Sequence, residues 1–291
     1  AIYRLSEDCP VSGVTVGDLF FPGYAGYFKD PSIHMALFAL DFQQGKETRL
    51  AVAAEDFAGN RSTAGLVYHI NARSFRKDAI NLSDAFFNAK MPDFERYFPE
   101  SSGGSRADLF LKVNRELRRK DTEAIYQITQ HTETDILWDG PFLRLPRSAN
   151  RARFADHRTY FYGGKVIDRQ VHMGIDLAST AHSPVPAANR GKVVFTGDQG
   201  IYGNTIILDH GFGLFTLYSH LSQIDAAVGQ MVKKGDTIGK TGLTGLAGGD
   251  HLHYGTLIHQ TYVNPVEWWD DEWIKNNIRA KIDDAGPRIR P

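Results

Sequence analysis

The segment His172-Met-Gly-Ile-Asp176, followed 75 residues beyond Asp176 by His251-Leu-His253, offers two imidazoles and a carboxylate to one metal ion. A catalytic zinc usually takes three protein ligands and keeps a fourth position for water. A further imidazole, His220 in Leu217-Tyr-Ser-His-Leu221, supplies a candidate acid or base. Residues two apart in a strand face the same side, about 6–7 Å apart. His251 and His253 can therefore flank one centre, one ligating and the other moving protons. Gly174, with an apolar run after it, reads as a bent strand entrance that lets His172 and Asp176 converge without helical spacing. The chemistry such a set supports is metal-assisted hydrolysis.

Histidine number alone is weak support. Eleven are present, seven of them between 172 and 259, and His182, His210 and His259 read as scaffold or surface residues. The loop Lys240-Thr-Gly-Leu-Thr-Gly-Leu-Ala-Gly-Gly-Asp250 superficially resembles a phosphate loop. It lacks the Gly-Lys-Ser/Thr ending and the following helix, so it reads as a wall of a substrate groove where backbone comes close to a peptide.

The elements that must position these residues are mainly strands. From about residue 137 to 265, Tyr160–Val166 reads as a hairpin, and 191–197, 204–209 and 213–218 are glycine-bounded strand candidates. The stretch 265–278 is expected to be a terminal helix, with 283–291 frayed. Upstream, residues 1–78 read as β-rich. They contain the apolar run Ala36–Phe42, a half-buried strand with Leu50, Val52 and Ala54 inward, turn chemistry over Glu55–Asn60, and a returning strand over Leu66–Ile70. The string Ala-Glu-Asp-Phe-Ala-Gly-Asn resembles the last hairpin of bacterial immunoglobulin-like modules, which implies an N-terminal β-sandwich. Residues 79–136 take a helical period. Ser83 caps a helix stopped by Pro92, Ser105 opens a capping box, and Asp121 or Thr122 starts a further helix with Ile125 and Ile128 inward. The basic run Arg115–Lys120 reads as the solvated side of an amphipathic helix. The expected organisation is thus 1–78 β-rich, 79–136 helical, and 137–291 a catalytic β domain with a C-terminal helix.

Composition narrows the classes. A net charge of −1 from 33 basic and 34 acidic residues provides no field for gathering nucleic acid. Cys9 is the sole cysteine, so no intrachain disulfide forms. No stretch approaches the ~20 apolar residues of a membrane span. The chain starts at Ala1 rather than Met, so any export signal or membrane anchor is expected upstream of it.

The C-terminal ~100 residues resemble the lysostaphin-type zinc metallopeptidases that cut peptidoglycan. The matching pieces, in order, are His172-x-x-x-Asp176, Pro184–Val193, Tyr202-Gly-Asn204, Asp209-His-Gly211, Leu217–Leu221, Val232-Lys-Lys-Gly235, Ile238-Gly-Lys-Thr-Gly242 and His251-Leu-His253. The resemblance implies an antiparallel β catalytic domain with zinc on His172, Asp176 and His253. It makes His220 and His251 the catalytic pair, without allotting general base to either, and Tyr202, Asn204 and Thr244 the candidate substrate contacts. It also implies a cell-envelope enzyme, periplasmic in a Gram-negative cell, acting on peptidoglycan peptides. The flanking Gly-Asp-His-Leu-His and Glu-Trp-Trp strings favour D-Ala-to-diaminopimelate bonds over glycine bridges. Two alternatives stand beside it: a non-catalytic wall-binding protein or activator of other hydrolases, and an enzyme held latent by its N-terminal half.

Overall fold

The computed structural model describes residues 1–101 and 103–289 and is mainly β. The central sheet runs Met231–Val232, Gly191–Asp198, Asn204–Asp209, Leu214–Ser219, Leu252–Ile258, Ile175–Ala178, Ala149–Ala152, and Thr261–Val263 folds back onto Leu252–Ile258. Every pairing within it is antiparallel. Its middle strands are buried along almost their whole length. Because side chains alternate across a strand, they feed two cores. Ile206, Leu208, Leu214 and Tyr254 enter one, and Ile207, Phe215, Leu217 and Leu257 the other.

The second core is closed by the N-terminal half. Phe87, Phe94, Phe110, Val113, Leu117 and Ile125 pack into it, and burying each such side chain is worth ~1.5–3 kcal/mol. The helical segment is therefore one wall of the sheet's core. A second link is the strand Lys77–Asn81, which pairs in parallel with Asp156–Tyr162 across the expected boundary at 78. Asp156–Tyr162 forms a hairpin with Lys165–His172 through Gly163-Gly164, both at positive φ, as a tight two-residue turn requires.

The N-terminal β-rich part holds one four-stranded antiparallel sheet, Leu19–Pro22, Val11–Val16, Leu50–Glu55, Arg61–Gly65, and a separate ladder of Ile2–Arg4 with Ile33–Met35, rather than two full facing sheets. The apolar run Ala36–Phe42 is not a strand, although Ala36, Leu37 and Ala39 are buried. The returning strand is Arg61–Gly65, not Leu66–Ile70. Asp56 accepts from Ala58 N and Asn60 N, which closes the turn at once and sends the chain back from Arg61.

Ser83 and Ser105 cap their helices by accepting from Phe86 N and Asp108 N. No new helix starts at Asp121 or Thr122. Residues 106–128 run without a break through a π-helical stretch, Val113–Leu117. Asp121 is turned inward, 5% exposed, and accepts Ile201 N at 2.7 Å, so it serves as a tertiary anchor rather than a cap. Arg115–Lys120 is only partly a solvated face, since Arg115 bonds Asp168 and Arg118 bonds Asn114. At the other end, helix follows Asn264 and, after a break at Asp270, continues to Ala285. Ile289 N donates to Tyr27 O, so 283–289 are built into the fold rather than frayed. Arg290 and Pro291 lie outside the described residues.

His210 directly follows a central strand, fully buried, bonded to Arg190 O and the Thr216 hydroxyl. Burial lowers its pKa from 6.5 to about 4. Its folded value is thus depressed, so its contribution is fully present above about 6.5 and is lost as pH falls toward 4, by up to ~3 kcal/mol. Asp121 and Asp209, raised by burial to about 7 and about 6, act in the opposite sense. The stability advantage of wild type over His210→Gln should therefore shrink between pH 6.5 and 4. Urea unfolding of both proteins across that range tests this, and a pH-independent difference would refute it.

Candidate active site

Three separate strands deliver the candidate metal-ligand set. His172 ends Lys165–His172, and Asp176 lies directly opposite His253 in the antiparallel register of Ile175–Ala178 with Leu252–Ile258. A Cβ on Gly174 would lie 2.6 Å from the His253 ring, so only glycine lets the chain turn tightly between the two ligands. His172 Nε2 and His253 Nδ1 each lie 2.9 Å from Asp176 Oδ1 and 2.9 Å from each other. All three residues are buried.

This donor set fits a cation. His172 Nδ1 faces Arg153 O at 3.0 Å, and a carbonyl only accepts, so Nδ1 carries the proton and Nε2 presents its lone pair inward. That lone pair meets a carboxylate oxygen and a second imidazole nitrogen. One shared proton can bridge one of these contacts, whereas a divalent ion satisfies all three. Burial raises the Asp176 carboxyl, but neighbouring His172 and its histidine hydrogen bonds outweigh this and hold it well below 3.8.

His220 and His251 stand beside this set, their ring centroids 4.8 Å apart, with His220 5.8 Å from His253. His220 Nδ1 donates to Thr244 O at 2.8 Å, and His251 Nδ1 to Gly249 O at 2.8 Å. Each ring is therefore fixed with Nε2 turned toward the site: that of His220 is its free atom, and that of His251 lies 3.5 Å from Asp176 Oδ1. His220 sits at φ +63°, a conformation that an L side chain adopts at a cost. Burial, then His251 and His253, push its pKa well below 6.5, so the ring is neutral near pH 7.

All five residues border one cavity of about 330 Å³. Tyr202 also borders it, with its ring 5.5 Å from that of His253. Asn204 and Thr244 stand behind the site instead. Both side chains bond Leu221 O, and Thr244 Oγ1 also accepts Asn204 N. His182 is exposed beside Ser222, and His259 is buried away from the site.

Several residues at the site carry no motif. Arg158 Nη2 donates to Asp176 Oδ2 at 2.9 Å, and Arg118 borders the same cavity. Arg158 alternates with Asp156 and Tyr160 on one strand face, which is the only sequence signal it left. Lys90, 6% exposed, donates to Leu243 O and Gly245 O, the carbonyls on either side of the one that holds His220. Lys90→Met should leave both acceptors unpaired and lower stability by about 1–3 kcal/mol, read by denaturant unfolding. An unchanged midpoint would remove Lys90 as a clasp.

Residues 170–265 match the model of the family described as Peptidase family M23. They are an M23 peptidase domain. Among relatives, DD-carboxypeptidase/endopeptidase Mpg of Neisseria meningitidis is 43% identical over 97 residues, 33% of this chain and 22% of that protein. Peptidoglycan DD-endopeptidase ShyA of Vibrio cholerae is 38% identical over 96 residues, again 33% and 22%. The stretch matched by the M23 domain thus spans about a fifth of these relatives. A solved Pseudomonas aeruginosa structure assigned to peptidase M23 aligns over 93% of this chain and 92% of its own at 20% identity, with a TM-score of 0.51. That likeness concerns the fold alone, and it takes in the N-terminal half as well as the M23 domain.

Proposed function

We propose that the M23 domain is a zinc-dependent endopeptidase that hydrolyses peptide cross-links or stem peptides of peptidoglycan in the cell envelope, periplasmic in a Gram-negative cell. The observation that carries this reading is the convergence of His172 Nε2, Asp176 Oδ1 and His253 Nδ1 beside His220 and His251 at one cavity. Those three atoms would hold the zinc, and zinc supplies Lewis acidity and lowers the pKa of water. His220 and His251 do the proton work. With both Nδ1 atoms tied to carbonyls, a neutral ring offers only a lone pair at Nε2 and a charged ring only a donor. Taking a proton and stabilising an oxyanion therefore need the two rings in different charge states. The DD-specific names of the relatives support D-Ala-to-diaminopimelate bonds over glycine bridges. Digestion of purified sacculi by the zinc-loaded chain, with mass analysis of what is released, tests the reading. Intact sacculi would sink it.

A latent enzyme is the second reading, favoured by one observation. Ile80, Leu82, Phe86 and Phe110, all upstream of the M23 domain, border the same cavity. Removing the upstream half is a poor test, because it would strip Ile207, Phe215 and Leu257 of their cover. Leu82→Ala with Phe86→Ala trims the lid and leaves the core wall in place. Latency predicts faster muropeptide cleavage by this variant, and an equal or slower rate removes it.

A further inference from the structure

We infer that Arg158 and Arg118 make the cavity a receptor for a carboxylate on the leaving side of the scissile amide. The inference rests on the hydrolytic reading above and adds its specificity. Two guanidiniums border the cavity, and Asp176 is the single carboxylate among its described lining residues. Asp176 is fully engaged. Its Oδ1 faces His172 and His253 at 2.9 Å and His251 at 3.5 Å, and its Oδ2 takes Arg158 Nη2. The cavity lining is thus positive before any metal ion is counted, and the nearby Asp121 carboxyl, close enough to interact with Arg118, accepts Ile201 N and does not itself line the cavity.

The two arginines are held ready for such a ligand. Arg158 is pinned by Asp176, keeps 18% of its side chain open, and has an enclosed Nε with no partner among the described residues. A guanidinium has five N–H donors in a rigid fork suited to carboxylates, so its bond to Asp176 leaves others free. Arg118 is fixed at Nε and Nη2 by Asn114 O and Oδ1, at 3.2 and 2.6 Å. A donor already fixed by the protein loses little freedom when it binds an anion. Leu82, Phe86 and Phe110 add an apolar stretch to the wall, which strengthens an ion pair formed against it.

The chemistry of the bond then narrows the substrate. In an amide whose amine half is an α-amino acid with a free carboxylate, that carboxylate stands one carbon from the leaving nitrogen. A cation bonded to a metal ligand is well placed to reach it. A terminal D-alanine has this feature, as does the free α-carboxylate beside the cross-link of a diamino acid. An amide within a glycine bridge lacks it.

The test pairs acids with carboxamides on the zinc-loaded full chain. Acyl-D-alanyl-D-alanine and its C-terminal amide form one pair, and a cross-linked muropeptide with free or amidated α-carboxylate the other. Binding by calorimetry and kcat/KM are read for wild type, Arg118→Gln and Arg158→Gln, with zinc content measured for each. Wild type should prefer the acid by on the order of 10²-fold, the size expected for losing one hydrogen bond to a charged group. The preference should collapse in Arg118→Gln, which leaves the ligand set untouched, and in any Arg158→Gln that retains zinc. Equal binding of acid and amide by wild type, or a preference that survives in Arg118→Gln and zinc-bearing Arg158→Gln alike, overturns the inference. Acid-selective binding without hydrolysis would sink the hydrolytic reading and spare this one. Equal hydrolysis of acid and amide would do the reverse. The two substrate pairs separate a terminal D-alanine from a cross-link as the source of the carboxylate.

Discussion

His253→Ala is expected to lose bound zinc and hydrolysis together. The three ligand atoms come from three strands, and each lies within 4.8 Å of the others. Losing a supporting residue behind a metal ligand already lowers affinity ~10–100-fold, and losing a ligand itself should do more. Asp176 would keep its charge in a buried site with one histidine fewer beside it. The expected measurements are near-stoichiometric zinc in wild type, a trace in the variant, and peptidoglycan cleavage reduced by at least ~10³-fold. His182→Ala is the control, since that ring is exposed and bonds Ser222 outside the cavity. Undiminished cutting by metal-stripped His253→Ala would eliminate the zinc mechanism.

How far the sequence revealed this site depended on how local each signal was. The five clustered residues were legible because strand period and motif order together constrain them. The register that sets Asp176 opposite His253 then completes the arrangement. The β catalytic domain was legible for the same reason, with glycine-bounded runs at 191–197 and 204–209 becoming central strands. Contacts made across long separations were not legible. Lys90 grips Leu243 and Gly245 from more than 150 residues away. Asp121 looked like a helix start because aspartate is a common cap, and only the folded chain shows its carboxylate on Ile201 N. Phe110 falls in the stretch expected to be helical, but a helical period does not say that its side chain closes the central sheet's core and borders the cavity. Asn204 lies in a recognisable motif and Thr244 two residues beyond another, yet their side chains face backbone, which motif order alone does not distinguish from a substrate contact.

His220→Ala should behave differently from a ligand substitution, and that difference isolates proton chemistry from metal binding. The His220 ring lies outside the three-atom ligand set, so zinc content is expected to stay at the wild-type level. The chain holds this ring through a left-handed backbone conformation, a bond from its own N to Tyr202 O, and the Nδ1 bond to Thr244 O. Those three restraints aim Nε2 into the cavity. Alanine removes the aimed atom, whereas Asp176, His172 and His253 keep their mutual contacts. A positioned acid or base typically contributes ~10²–10⁴-fold, so kcat should fall by that order with KM within a few-fold of wild type. Folding gains little to offset the loss, since alanine at φ +63° keeps the backbone strain that glycine would relieve. His220→Gly is therefore the companion variant. It should be as inactive as His220→Ala and, once the lost packing is matched, less strained. A kcat for zinc-loaded His220→Ala within about threefold of wild type would remove this residue from the chemistry and leave His251 to act alone.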